Sequence, residues 1–374
     1  MSILPVQQWF NDTGHRPVMI AGPCSAESEE QIMKTAFALT GPCKPSFFRA
    51  GIWKPRTRPG SFSGVGSKGL QWMLKAREAT GIRVMVEAAS PRHVEACLKA
   101  GIDVLWLGAR TVSNPFSVQE IAESLSGVDI PIMVKNPLNP DIDLWMGAIE
   151  RVSSAGINKL AAVHRGFSPF ERTKYRNMPK WEIAIELRRR IKDIPLICDP
   201  SHIAGDFTLV PGLAQKAMDL NMDGLMVEVH HDPSSALSDK RQQLLPGDYC
   251  KLLNNLVIRK AKPEDKGFLD QLEELRNQVD SVDHQLIELL SRRLEIIDLI
   301  GDYKYRNNVA ILQMDRWLDI LNTRLKQADS LGLDHNFTEK YLKLLHQESI
   351  RLQTEIMERM KNNGADSADD GPDD

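Results

Sequence analysis

Residues 83–107, RVMVEAASPRHVEACLKAGIDVLWL, decide the fold. A short apolar run at 83–87 ends on the charged Glu87, a segment of helical period follows, and a second apolar run at 103–107 closes the unit. Strand, helix and strand in that order predict a parallel pair joined by a crossover. The theme repeats through residues 1–258, with apolar runs at 18–21, 46–49, 83–87, 103–107, 131–135, 158–163, 195–199 and 224–229. Eight such runs predict an α/β fold of the (β/α)8 TIM-barrel type, since a doubly wound sheet more often stops at about five or six strands. Near-continuous hydrophobicity fits strands that are covered on both faces.

The texture changes after residue 258. Residues 259–267, RKAKPEDKG, are charged and carry both Pro and Gly, so they read as a linker. Beyond them Leu272, Leu275, Val279, Val282, Leu286, Leu289, Ile296 and Ile300 recur mostly three or four apart. That spacing predicts a helix over 269–305, roughly 37 residues and ~55 Å long. Further helical patterns cover 312–327 and 338–360, and no strand pattern appears. An all-α three-helix domain is therefore expected at 268–363, and the Asp-rich, apolar-poor stretch 364–374 is expected to be a disordered acidic tail.

Bulk composition agrees with two domains. At 374 residues the chain exceeds the size at which one core stops growing, and its 42% apolar and 26% charged content is ordinary for a soluble protein. A net charge of −3 argues against a general nucleic-acid binder. The five cysteines (Cys24, Cys43, Cys97, Cys198, Cys250) lack C-x-x-C pairing and leave one over, a pattern expected of a reducing cytosol without a disulfide framework. Neither a leader pattern nor an apolar run long enough to span a bilayer is present, so the expectation is a cytoplasmic enzyme with no membrane partner.

In a TIM barrel the chemistry sits at the C-terminal ends of the strands. Those positions hold Cys24, Arg49, Lys54, Glu87, Arg110, Lys135, Arg165, His202 and Glu228. With Arg56, six cations would converge on one rim, and their mutual repulsion requires an anionic ligand to balance it. A substrate carrying phosphate and carboxylate, with a second phosphate on another, would do so. Cys24, His202, Glu228 and Asp239 offer sulfur, nitrogen and oxygen. That mixed set suits a divalent transition ion better than Ca2+ or Mg2+, in an open, Lewis-acid site.

In the helical part, Arg293 and Lys304 are eleven residues apart, within about 20° on one helix face, and they share the apolar stripe of Leu286, Ile297 and Ile300. Ser349 and Gln353 likewise share a face with Leu342, Leu345 and Ile356. Charged groups on a packing face predict a buried pocket for a dianion.

These residues carry two resemblances. Gly22-Pro23-Cys24-Ser25, Lys54-Pro55-Arg56-Thr57, Gly108-Ala109-Arg110, Asp199-Pro200-Ser201-His202 and Met226-Val227-Glu228-Val229-His230 resemble the motifs of 3-deoxy-D-arabino-heptulosonate 7-phosphate (DAHP) synthases, in the compact subtype. The resemblance implies condensation of phosphoenolpyruvate with erythrose 4-phosphate, assisted by Mn2+ or another divalent ion. It implies that Arg49, Lys54, Arg110, Lys135 and Arg165 bind phosphoenolpyruvate and that Arg56 and Thr57 hold the aldose phosphate. Lys54 would be the proton donor, Glu87 would position water, and Cys24, His202, Glu228 and Asp239 would be metal ligands. The rival is 3-deoxy-octulosonate 8-phosphate synthase, which typically carries Lys-Ala-Asn where Lys54-Pro55-Arg56 stands here. Arg58 departs from the family's usual Ser.

The helical part resembles the all-helical chorismate mutases through Leu275-Arg276, Ser291-Arg292-Arg293, Gly301 with Lys304, Asp315-Arg316, and Glu348-Ser349 with Gln353. That resemblance implies rearrangement of chorismate to prephenate. Arg276, from the partner of a homodimer, and Arg293 would hold carboxylates; Lys304 and Gln353 would face the ether oxygen; Arg316 and Ser349 would anchor the substrate. Gln313 and Trp317 stand where the family often has acidic residues. A purely ligand-sensing and dimerising role is the alternative, and feedback of prephenate or chorismate on the barrel is a further expectation.

Overall fold

The computed structural model describes residues 2–10, 17–54, 60, 62–170, 173–259 and 266–366. It divides into two compact units, 1–261 and 262–374. In the first, eight strands pair in chain order and close on themselves: β1 (Val18–Gly22), β2 (Phe47–Ala50), β3 (Arg83–Ala88), β4 (Val104–Leu107), β5 (Ile132–Lys135), β6 (Leu160–His164), β7 (Leu196–Cys198) and β8 (Gly224–Glu228). Every pairing is parallel. The expected α/β barrel is what forms.

Alternation along the strands builds two cores. Ile20, Phe47, Met85, Trp106, Met133 and Met226 point inward and fill the barrel. Their neighbours Ala21, Phe48, Val84, Leu105, Val134 and Val227 face the surrounding helices. The helix Pro91–Ala100 shows how the local sequence makes each unit. Ser90 caps it by accepting from the His93 N–H, Pro91 takes its first turn, and Gly101 ends it in a left-handed conformation.

The cysteines correct the sequence reading. Cys43 and Cys250 are joined by a disulfide across 207 residues, with Cα atoms 5.5 Å apart. Closing the barrel brings the turn Gly41–Cys43 beside the last barrel helix, Pro246–Asn255, which spacing along the chain does not reveal. Cys24, Cys97 and Cys198 are free and buried. A bridge closing so long a loop is expected to contribute about 2–4 kcal/mol. Thermal unfolding of Cys43→Ser should therefore begin at lower temperature than that of the oxidised parent, and an unchanged midpoint would mean that the bridge contributes nothing.

The second unit consists of three helices, Lys266–Arg306, Met314–Ser330 and His335–Asp366. The first begins inside the stretch expected to be linker, and the third runs past residue 363 into the expected tail; residues 367–374 lie outside the described part. First and third helices close tightly at Gly301, where a Cβ would lie 2.8 Å from Ile356 Cδ1. Among the described residues no helix is long and apolar enough to cross a membrane.

Candidate active sites

Barrel register assembles the first site. Gly22 pairs with Glu228, so the ends of β1 and β8 meet, and Cys24 lies just beyond Gly22. Cys24 Sγ, a Glu228 oxygen and an Asp239 oxygen all lie within 4.8 Å of one another. His202 joins them: its Nε2 is 3.7 Å from Glu228 Oε1, while its Nδ1 is 2.8 Å from Asp199 Oδ2. Burial lowers the His202 pKa, which leaves the neutral imidazole that can ligate a cation. Burial and the Glu228 charge push the Cys24 thiol up to about 12. Arg49 and Lys54 offset part of this crowding of acceptors, but Glu228 Oε1 is buried with an ion-pair contact to Arg49 at 3.3 Å and no hydrogen bond, a position that a further cation would complete. A sulfur and two carboxylates gathered within 4.8 Å, with the His202 imidazole beside one of them, fit a divalent transition ion, and an ion there would reverse the Cys24 shift.

The ligand candidates are themselves held. Cys24 donates its backbone N–H to Gln243 Oε1 at 3.0 Å, and its sulfur lies 3.1 Å from Ser238 Oγ. Gln242 bridges the site, donating to Glu228 Oε2 at 2.7 Å and accepting from Arg176 Nη1 at 2.6 Å.

Beside this cluster lies a small cavity of about 80 Å³, lined by Lys54, Arg110, Lys135, Arg165 and Arg176 together with Glu87, His202 and Asp239. Trp106 underlies part of the site. The Arg49 guanidinium sits 4.9 Å from its ring centroid and Lys135 Nζ 5.9 Å. Arg49 is 1% exposed and contacts Glu228 Oε1 at 3.3 Å, but its Nε and Nη1 have no partner. Lys135 donates to Asp199 Oδ2 at 2.7 Å. Burial would raise the Asp199 carboxyl, yet His202 and Lys135 beside it hold it well below the usual range. Arg165 donates to Asn177 Oδ1 at 2.8 Å, and burial lowers its pKa to about 10. Lys54 Nζ lies 3.0 Å from Cys24 Sγ. Glu87 needs Gly108 opposite, because a Cβ there would collide with Glu87 Oε1. Five cations around one small polar hollow form a receptor for a multiply charged anion.

Arg56 and Thr57 lie outside the described residues. Nothing in the sequence pattern marks Arg176, Asp199 or Gln242 as site residues. Asp199 stands in the Asp199-Pro200-Ser201-His202 motif, but the chain alone gives no hint that it anchors both Lys135 and His202. Arg176 lies between β6 and the helix Trp181–Arg190, with no periodic pattern around it to signal its direction.

In the helical unit, Arg293 Nη2 donates to Ser349 Oγ at 3.0 Å, and its Nη1 is buried without a partner. Gln353 donates to the Ser349 carbonyl at 3.0 Å and leaves Oε1 buried and unpaired. Lys304 Nζ donates to the Ile311 carbonyl at 2.6 Å and borders a hollow of about 660 Å³ that reaches Met357 and Lys361. Burial lowers the Lys304 pKa. Two residues stand apart from this cluster. Arg276 is exposed, 3.6 Å from Glu273, and Arg316 is exposed with its Nη1 2.9 Å from Asp319.

Residues 3–260 match the DAHP synthetase I family. The chain belongs to that family. Residues 275–354 of this DAHP synthetase I family member match chorismate mutase type II. A barrel that matches one family is thus followed by a helical unit that matches another. Its sequence is 32% identical over 226 residues to a phospho-2-dehydro-3-deoxyheptonate aldolase of Thermotoga maritima, covering 60% of this chain and 64% of that protein. The match therefore spans somewhat less than two thirds of the Thermotoga protein. A 2-dehydro-3-deoxyphosphooctonate aldolase of Geotalea uraniireducens is 30% identical over 262 residues, covering 65% of this chain and 92% of the relative. The crystal structure of the Thermotoga maritima DAHP synthase superposes with a TM-score of 0.56 at 30% identity, covering 63% of this chain and 67% of that one.

Proposed function

We propose that the chain is a bifunctional enzyme of aromatic biosynthesis. The barrel condenses phosphoenolpyruvate with erythrose 4-phosphate to DAHP and phosphate, and the helical unit rearranges chorismate to prephenate. The cation-lined hollow beside Cys24, Glu228 and Asp239 carries the reading, because it offers charge for a phosphate and a carboxylate next to a metal-type donor set.

Arg49, Lys54, Arg110, Lys135 and Arg165 hold phosphoenolpyruvate, and Arg56 with Thr57 takes the aldose phosphate. Fixing both substrates supplies much of the advantage in a bimolecular step. Cys24, His202, Glu228 and Asp239 hold a divalent cation, Mn2+ or another transition ion, which when bound polarises the aldehyde. C3 of phosphoenolpyruvate attacks the aldehyde carbon, water adds at C2, and phosphate leaves. Lys54 gives its proton to the new alkoxide, and Glu87 orients the water. The phosphooctonate aldolases among the relatives keep a second reading open, with a longer phosphorylated aldose as substrate. Lys54-Pro55-Arg56 favours the shorter one.

In the mutase, Arg293 holds a carboxylate with Ser349 beside it, while Lys304 and Gln353 stabilise the ether oxygen as charge separates. Arg276 lies 17 residues before Arg293 on one helix, which at 1.5 Å per residue is about 25 Å away. It reaches a site only if a second copy donates it, and Arg316 swings from Asp319 to join. A homodimer also fits the exposure of Leu275, Val279, Val282, Leu286 and Leu289 along the first helix, an apolar face that a single copy leaves open. Prephenate bound here slows the barrel, which gives the fusion a use, and the enzyme works in the cytosol.

The test is product identity. Phosphoenolpyruvate, erythrose 4-phosphate and Mn2+ should yield the seven-carbon acid and phosphate by NMR, and chorismate should yield prephenate. Absence of either product removes that half of the proposal. A condensation rate unchanged by saturating prephenate would remove the feedback.

A further inference from the structure

The helical site contains an aromatic pair that the reading above does not use. Trp317, on the second helix, stacks on His346, on the third, with ring centroids 3.8 Å apart and planes 9° from parallel. His346 lies seven residues before Gln353 and three before Ser349. At 100° per residue it falls within about 20° of Gln353 and 60° of Ser349 on the same helix face. That face meets Arg293 through Ser349. Burial, and then the charges of Arg293 and Lys304, hold the imidazole pKa below the ordinary 6.5. Among the described residues neither ring nitrogen of His346 has a hydrogen-bond partner, and both rings of the stack are half-buried.

A stacked imidazole loses its freedom to turn while its polar edge stays open. A neutral one beside two cations adds no further repulsion to the site, and it can both give and accept a hydrogen bond. The cations answer the charge of a dianionic ligand, and the imidazole answers an oxygen that carries none. We propose that His346, oriented by Trp317, is a further substrate-contacting residue of the mutase site and hydrogen-bonds the uncharged hydroxyl of its substrate. The inference rests on the mutase reading and deepens it.

The experiment measures mutase kcat and KM on the full chain, for the parent and for His346→Leu, His346→Gln, Trp317→Ala and Trp317→Phe, with far-ultraviolet circular dichroism as the check on folding. His346→Leu should lose ~10- to 100-fold in kcat/KM, because it leaves the bound hydroxyl without its partner. His346→Gln, which keeps a donor and an acceptor, should recover most of it. Trp317→Phe should stay near the parent, and Trp317→Ala should fall towards His346→Leu. Parental kcat/KM in a folded His346→Leu, or equal damage in the Leu and Gln variants, would overturn the contact and leave the mutase standing. A parent that does not turn over chorismate would overturn both.

Discussion

Replacing Cys24 by alanine should abolish metal-supported condensation. Cys24 Sγ lies within 4.8 Å of a Glu228 and an Asp239 oxygen in the proposed donor set, and it is fully buried, so no water easily takes its place. Loss of an outer partner of a metal site already costs about 10- to 100-fold in affinity or activity. Loss of a direct donor is therefore expected to cost more than ~100-fold. The small side chain also frees Lys54 Nζ, 3.0 Å from the sulfur in the parent, so that ammonium should be less well placed. Metal content by mass spectrometry and phosphoenolpyruvate loss should fall together, while chorismate turnover stays at the parental rate. A Cys24→Ala chain that condenses normally with sub-stoichiometric metal would show that the cluster is structural.

The converse variant is Arg293→Ala. Its Nη1 is buried without a partner and its Nη2 is spent on Ser349, so half of the fork is open to a ligand. Removing a preorganised donor of this type costs on the order of 10²–10³ in kcat. Mutase activity should drop by that factor with condensation unchanged. Arg293→Lys, which keeps the charge and loses the fork, should fall between. Stopped-time assays of chorismate loss provide the readout. Equal mutase rates in parent and Arg293→Ala would move the site elsewhere.

Most of the fold was legible because its signals are local. Runs such as 83–87 and 224–229 end within a residue of the strands they announce, and the three- and four-residue spacing from Leu272 to Ile300 marks the first long helix. Much of the barrel site was legible for the same reason: a barrel sends the residue after each strand to one rim, so Cys24, Arg49, Lys135 and Glu228 could be placed together by strand order. Contacts set by rotation and loop path were not legible. Arg176 reaches Asp239 at 2.9 Å from a loop of no regular period. Cys43 and Cys250 meet only because the barrel closes. Arg316 faces Asp319 one turn along its own helix, which sequence spacing permits but does not choose over the pocket. Trp317 and His346 stack because of how two helices are turned towards each other, and neither residue type announces that contact.

The most direct measurement follows phosphoenolpyruvate consumption by the full chain, with erythrose 4-phosphate or arabinose 5-phosphate as the aldose, before chelation, after chelation and after Mn2+ is restored. Consumption with erythrose 4-phosphate that stops on chelation and returns with metal is the expected result. Consumption with arabinose 5-phosphate alone, or a rate indifferent to chelation, would contradict it.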